Sequence, residues 1–186
     1  MKKQNLPIVL FLLLGFFLRS QYTIQPLPGY SDHIGVTVGM LEDLKGRVTS
    51  SVKSLTMEEL DFLLDEDANR IGALIMHLAA TERYYQVYTF ENRQFNEEEA
   101  KKWDVPLKLG ENARAQIKEN PISYYLNTWD QVRKRTLELL KTKDDAWFNA
   151  MVPGTTMNNH WAWYHVMEHQ ANHMGQIRLI INRIPE

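Results

Sequence analysis

Four long stretches of the chain repeat their apolar residues with the period of a helix, about 100° per residue. In the first, residues 31–53, the inward positions are Ile34, Val38, Leu41, Leu44 and Val48. In the second, residues 69–90, Arg70, Leu74, His77, Thr81, Tyr84, Tyr85 and Tyr88 share one stripe, with His77 at its centre. The third follows Asn120-Pro121 and carries Ile122, Leu126, Trp129, Val132 and Thr136 towards Lys143. The fourth spans residues 158–184. No strand-like alternation of useful length interrupts them. The expectation is an all-α fold, a four-helix bundle with short extra helices between the second and third long helices.

The polar positions punctuate this pattern. Thr56-Met57-Glu58-Glu59 has the form of a capping box and opens a short helix. Asn96-Glu97-Glu98-Glu99 opens another, residues 110–118 form a third, and Pro106 is expected to break between these last two. Asn120-Pro121 reads as an N-cap followed by proline at the first helical position. Asn158 or Asn159 caps the last helix, and Pro185 ends it. The connection of about 30 residues between the second and third long helices allows them to run parallel. Gly35, Gly39 and Gly46 weaken the first helix by roughly 1 kcal/mol each. Two of them, four residues apart, either let a neighbouring helix approach closely or simply make the helix mobile.

The fourth stretch carries four of the six histidines of the chain. Ala162, Val166, His169, His173, Ile177, Ile180 and Ile184 fall on one stripe, so two histidines four residues apart occupy an apolar face. Side chains at i and i+4 are neighbours, and two imidazoles so placed converge on one metal ion. His165 extends the ladder, but His165 and His173 lie about 12 Å apart along the axis, too far to share an ion. The choice is 165/169 or 169/173. The stripe assigns 169/173 and leaves His165 at the pocket rim. The alternative is a pair of core histidines bonded to polar neighbours. His77, inward on the second helix, is the third imidazole that favours a metal. Three nitrogens and an open position make the catalytic kind of zinc site. Zinc is the first expectation for this divalent ion, with nickel, iron or manganese also suited to the site. Gln176, one turn beyond His173, is placed to orient a ligand or bind substrate. Of the three tyrosines on the second helix, Tyr84 is the pocket candidate. Glu82 and Glu168 are turned about 140° and 100° from the neighbouring histidines, and no general base is evident.

Composition sharpens the picture in three respects. The net charge of −2 and the lack of basic clusters give no reason to expect nucleic acid. The absence of cysteine excludes disulfides, thiolate ligands and a cysteine nucleophile. Residues 1–21, with Lys2 and Lys3 before an apolar run from Leu6 to Leu18, read as a secretory signal peptide cut near residue 21. Residues 22–30 form an extended leader and 31–186 the bundle. The expected location is secreted or periplasmic, with no membrane contact after cleavage. The alternative is an uncleaved anchor.

The run His169-Gln170-Ala171-Asn172-His173-Met174-Gly175-Gln176-Ile177 resembles the His-x-x-x-His-x-Gly-Gln-Ile signature of DinB-like (YfiT-like) metalloenzymes. The stretch from Asn69 to Glu82 is similar to that family's second-helix motif, with Arg70 where a serine is frequent. The resemblance spans roughly residues 31–184. It implies a four-helix bundle, a divalent metal on His77, His169 and His173, and a homodimer. Characterised relatives include thiol-dependent S-transferases and an isomerase. The expected function is therefore an exported metal-dependent enzyme of hydrolase or transferase type, acting on an unidentified small molecule. The competing expectation is a non-catalytic exported metal-binding or interaction domain.

Overall fold

The computed structural model describes residues 23–185. The expected signal peptide, residues 1–21, lies outside them. Eight helices follow in order: α1 (Asp32–Val52), α2 (Met57–Asp61), α3 (Ile71–Phe90), α4 (Glu97–Lys108), α5 (Gly110–Gln116), α6 (Ile122–Leu140), α7 (Asp145–Asn149) and α8 (Asn159–Ile181). Among the described residues there is no strand, only an isolated bridge between Met151 and Asn158. The fold is all-α. No helix among these residues is long and apolar enough to cross a membrane.

The four long helices touch in a ring: α1 on α8, α8 on α3, α3 on α6, and α6 on α1. Their contacts fix the directions. His33 stacks on His160, so α1 and α8 start at the same end and run parallel. Gly72 lies against Tyr125, and Gln86 Nε2 donates to Thr136 Oγ1 at 2.8 Å, so α3 and α6 are also parallel. His77 meets His173 while Phe90 meets Trp163, which makes α3 and α8 antiparallel. The order along the chain is up, down, down, up. The long connection through α4 and α5 makes the parallel α3–α6 pair possible. A β-carbon at Gly72 would lie 2.5 Å from the Tyr125 ring, so only glycine lets these two helices approach so closely.

α3 is the central element. Both Glu82 and most of its apolar residues are buried, because α6, α8, α4 and α2 cover it on several sides. Inside the core, Glu82 accepts from Arg133 Nε at 2.8 Å and Nη2 at 3.0 Å, from Trp129 Nε1 at 3.0 Å and from Thr136 Oγ1 at 2.6 Å. Arg133 Nη1 also donates to Leu41 O and to Glu42, both from α1. One fully bonded ion pair thus ties α1, α3 and α6 together. Glu82 points away from His77, as its angular position requires, and its role here is structural.

Caps form where Thr56, Asn96 and Asn158 stand, the first two as full capping boxes. Three sequence expectations need correction. Pro106 does not break the chain but sits inside the last turn of α4; the break comes at Leu109-Gly110, both with positive φ. Pro121 occupies the cap position of α6, and Asn120 turns back to donate to Lys118 O instead of capping. The Gly35–Gly39 groove receives no helix. The leader folds back along it, and a β-carbon at Gly35 would lie 2.9 Å from Leu27 N.

The cap of α1 comes from far along the chain. Ser31 does not cap it with its own side chain. Asp145, at the start of α7, instead accepts from Ser31 Oγ at 2.6 Å and from the amides of His33 and Ile34. Burial raises the Asp145 carboxyl, but these hydrogen bonds outweigh it and hold the group below its usual range. The stabilisation is therefore present at neutral pH and is lost as pH falls through that lowered value. Asp145→Ala is expected to cost about 1 kcal/mol. The expected fall in melting temperature is about 2–4 °C, shrinking in acid. A fall that is the same at pH 7 and pH 3 would contradict this account.

Candidate metal centre

The α3–α8 contact brings three imidazoles to one point. His77 Nε2 and His169 Nε2 are 2.7 Å apart, and His173 Nε2 is 3.1 Å from His169 Nε2. One donor atom from each ring lies within 4.8 Å of the others. His77 and His173 are 8 % exposed, and His169 is half-buried.

The proton positions on two of the rings follow from their neighbours. His77 Nδ1 is 2.9 Å from Pro106 O, which can only accept, so Nδ1 carries the hydrogen. Pro106 stands in the last turn of α4, where carbonyls lack a helical partner, and its own is free for this bond. His173 Nδ1 is 3.0 Å from Gln176 Oε1, which accepts in the same way. Both rings therefore aim Nε2 lone pairs at His169. Burial holds His77 neutral down to about 4; His173 adds to the effect and Pro106 opposes it. Burial, then His173, His77 and His165, lowers His169 to about 3. Burial also lowers His173, against the Gln176 hydrogen bond. All three are neutral at pH 7, the form that binds metal.

The His77 and His173 lone pairs both face His169 Nε2, which has at most one hydrogen to share between them, whereas a cation among the three nitrogens satisfies all of them. Tetrahedral zinc with bonds of about 2.05 Å needs nitrogens roughly 3.3 Å apart, so an outward shift of a few tenths of an ångström would admit it. The donor set fits a divalent ion, and neutral imidazole by itself does not select which one. His77 Nδ1 on a carbonyl and His173 Nδ1 on an amide oxygen are the outer contacts that orient ligand histidines. Gln176→Leu is expected to reduce metal affinity roughly 10–100-fold while leaving the fold intact. Titration of the apoprotein with zinc and a competing chelator reads this; an unchanged constant would remove Gln176 from the site.

The remaining residues of interest lie outside this point. His165 is one turn away, its ring 5.5 Å from that of His169, and its Nδ1 pairs with Glu168 Oε2 at 3.1 Å. Tyr84 spends its hydroxyl on Gln94 Oε1 and packs against Tyr88 and Phe95. Of the expected apolar stripe of α8, Ala162, Val166, His173, Ile177 and Ile180 are buried. The buried face also takes in Trp163 and Gln170, which the stripe did not include, and His169 lies at its edge. That placement leaves His169 half-buried. Pro106 was not foreseen, because its contact depends on how α4 lies across α3. The outward position of Glu168 hid its pairing with His165.

Residues 36–184 match a protein-family model described as mycothiol-S-transferase. No curated protein matches the chain.

Proposed function

The chain belongs to the mycothiol-S-transferase family, a DinB-like one, and on that premise we propose that it is a metal-dependent transferase joining a small electrophile to the sulfur of a low-molecular-weight thiol. The observation that carries the reading is the convergence of three neutral Nε2 atoms, two of them fixed by carbonyl acceptors on Nδ1. His77, His169 and His173 would hold the ion. When bound, a divalent ion acts there as a Lewis acid and lowers the pKa of a coordinated thiol or water. The chain supplies the rest. Pro106 and Gln176 keep two rings in one orientation, with the hydrogen on Nδ1, and burial keeps the rings neutral so that Nε2 stays free. The half-exposed edge at His169 admits the thiol. His165, held by Glu168 at that edge, presents the nearest further hydrogen-bonding group to an incoming substrate. The cysteine-free chain offers no thiol of its own to compete with the substrate. Zinc is the first metal expected at the three histidines, and residues 1–21 are an export signal in this reading.

The test is elemental analysis of protein purified without chelator, followed by assay of S-conjugate formation with small thiols before and after chelation. About one metal per chain and chelator-sensitive conjugation are expected. Less than about a tenth of a metal per chain would overturn the reading. Full metal with no conjugate from any thiol would leave a non-catalytic metal-binding domain as the better description.

A further inference from the structure

A cavity of about 460 Å³ opens at the N-terminal end of α8, lined by Met151, Thr156, Met157, Asn158 and Trp161. Its walls are preformed. The loop between α7 and α8 closes through the Met151–Asn158 bridge. Val152 N–H donates to Met157 O at 2.9 Å, and Asn159 N–H donates to Ala150 O at 3.0 Å. The Thr155 hydroxyl donates to Val152 O at 2.9 Å. Asn158 uses its side-chain oxygen on Trp161 N–H, the cap of the helix. The walls carry no charged group: two thioethers and an indole form their apolar part, and Thr156 and Asn158 their polar part. Met151 is 55 % exposed and Trp161 46 %.

The cavity is joined to the histidine cluster. The Trp161 ring stacks on His165 with centroids 5.2 Å apart and planes 6° from parallel. His165 in turn lies 5.5 Å from His169. Tyr85 closes the side of His165, edge-on at 5.8 Å. Residues 161, 165 and 169 thus form an aromatic row along one edge of α8. The row spans about 12 Å of helix from the cavity to the cluster.

We propose that this cavity binds the flat apolar portion of the electrophilic substrate, an aromatic ring seated against Trp161 and the two methionines. The proposal rests on reading the cluster as the site of S-transfer. The volume lies in the usual range for small-molecule sites, about 300–1,000 Å³. Indole faces favour offset or edge contact with a second ring, and thioethers adapt to aromatic edges. An uncharged lining selects an uncharged group, and the row leads its reactive carbon to the histidine edge. For a ring bearing a halogenated alkyl arm about as long as the row, about 12 Å, the thiol sulfur bonds to the terminal carbon of the arm and the carbon–halogen bond breaks. Halide leaves with the bonding pair, and the thiol proton passes to solvent, with no change of oxidation state requiring another reactant.

The test uses the full metal-loaded chain and two probes. N-phenyl-1-naphthylamine reports binding by its fluorescence, and 8-phenyloctyl bromide, whose arm matches the length of the row, serves as electrophile with a small thiol. In Trp161→Ala and Met151→Ala, the naphthylamine Kd and the KM for the phenylalkyl bromide are expected to rise about ten-fold. The KM for thiol and the metal content stay unchanged, and Trp161→Phe recovers most of the binding. Naphthylamine affinity equal in wild type and Trp161→Ala would overturn the proposal. So would a shift from dimer to monomer in Trp161→Ala by light scattering, which would make the cavity an interface between copies. If the wild type binds no metal or forms no conjugate, the transferase reading fails. Naphthylamine binding that Trp161→Ala abolishes would still establish the aromatic site in that case.

Discussion

His173→Ala is expected to strip the metal from the protein and to make its melting temperature indifferent to chelator. The substitution removes one of three converging nitrogens, so affinity should fall by more than the roughly 10–100-fold that loss of an outer partner costs. A ligand present at about 100 times its Kd stabilises the folded state by about 2.7 kcal/mol. At about 2–4 °C per kcal/mol, chelation should lower the wild-type melting temperature by roughly 5–11 °C. His77→Ala should behave alike, though it lies on another helix. His165→Ala should keep its metal, because His165 pairs with Glu168 and stands one turn away from the convergence. The reading is metal content and melting temperature for the three variants, each with and without chelator. Metal kept by His173→Ala and lost by His165→Ala would move the site by one helical turn.

The second large effect lies in the core. Glu82→Ala leaves Arg133 buried, 3 % exposed, with its Nε and Nη2 donors unpaired. Breaking one side of such a pair costs about 3–5 kcal/mol. The melting temperature should therefore drop by roughly 6–20 °C. Glu82→Leu combined with Arg133→Met should recover much of that loss, because apolar groups of similar volume need no partner. Equilibrium urea unfolding of the single and double variants reads both. A single-variant loss below about 1 kcal/mol would mean that Glu42 alone satisfies the arginine.

The helices and the histidines were legible because both depend on spacing within one element. A period of 3.6 residues placed α1, α3, α6 and α8 to within a few residues of their observed ends. The same angular count put His77, His169 and His173 on facing sides and turned Glu82 away. What the period could not supply was anything set by contact between distant parts. Pro106 read as a break, since proline removes an amide; in the last turn of α4 that loss is tolerated, and the carbonyl serves His77. Gly35 and Gly39 announced a close approach but not the partner, which proved to be the leader. The α1 cap was invisible because Asp145 is more than a hundred residues away.

The up-down-down-up order also sets when this chain can fold during synthesis. The neighbours of α1 in the ring are α6 and α8, and α8 is made last. Ile34, Val38 and Leu41 share a core with Ala162, Trp163 and Val166. On the ribosome, that apolar face waits through roughly a hundred residues of synthesis for its parallel neighbour. Closing so long a loop costs entropy before any contact repays it, so the ring closes late. Until α8 emerges, the growing chain is an incomplete core for a chaperone to hold, with His77 already in place and its two partners not yet made.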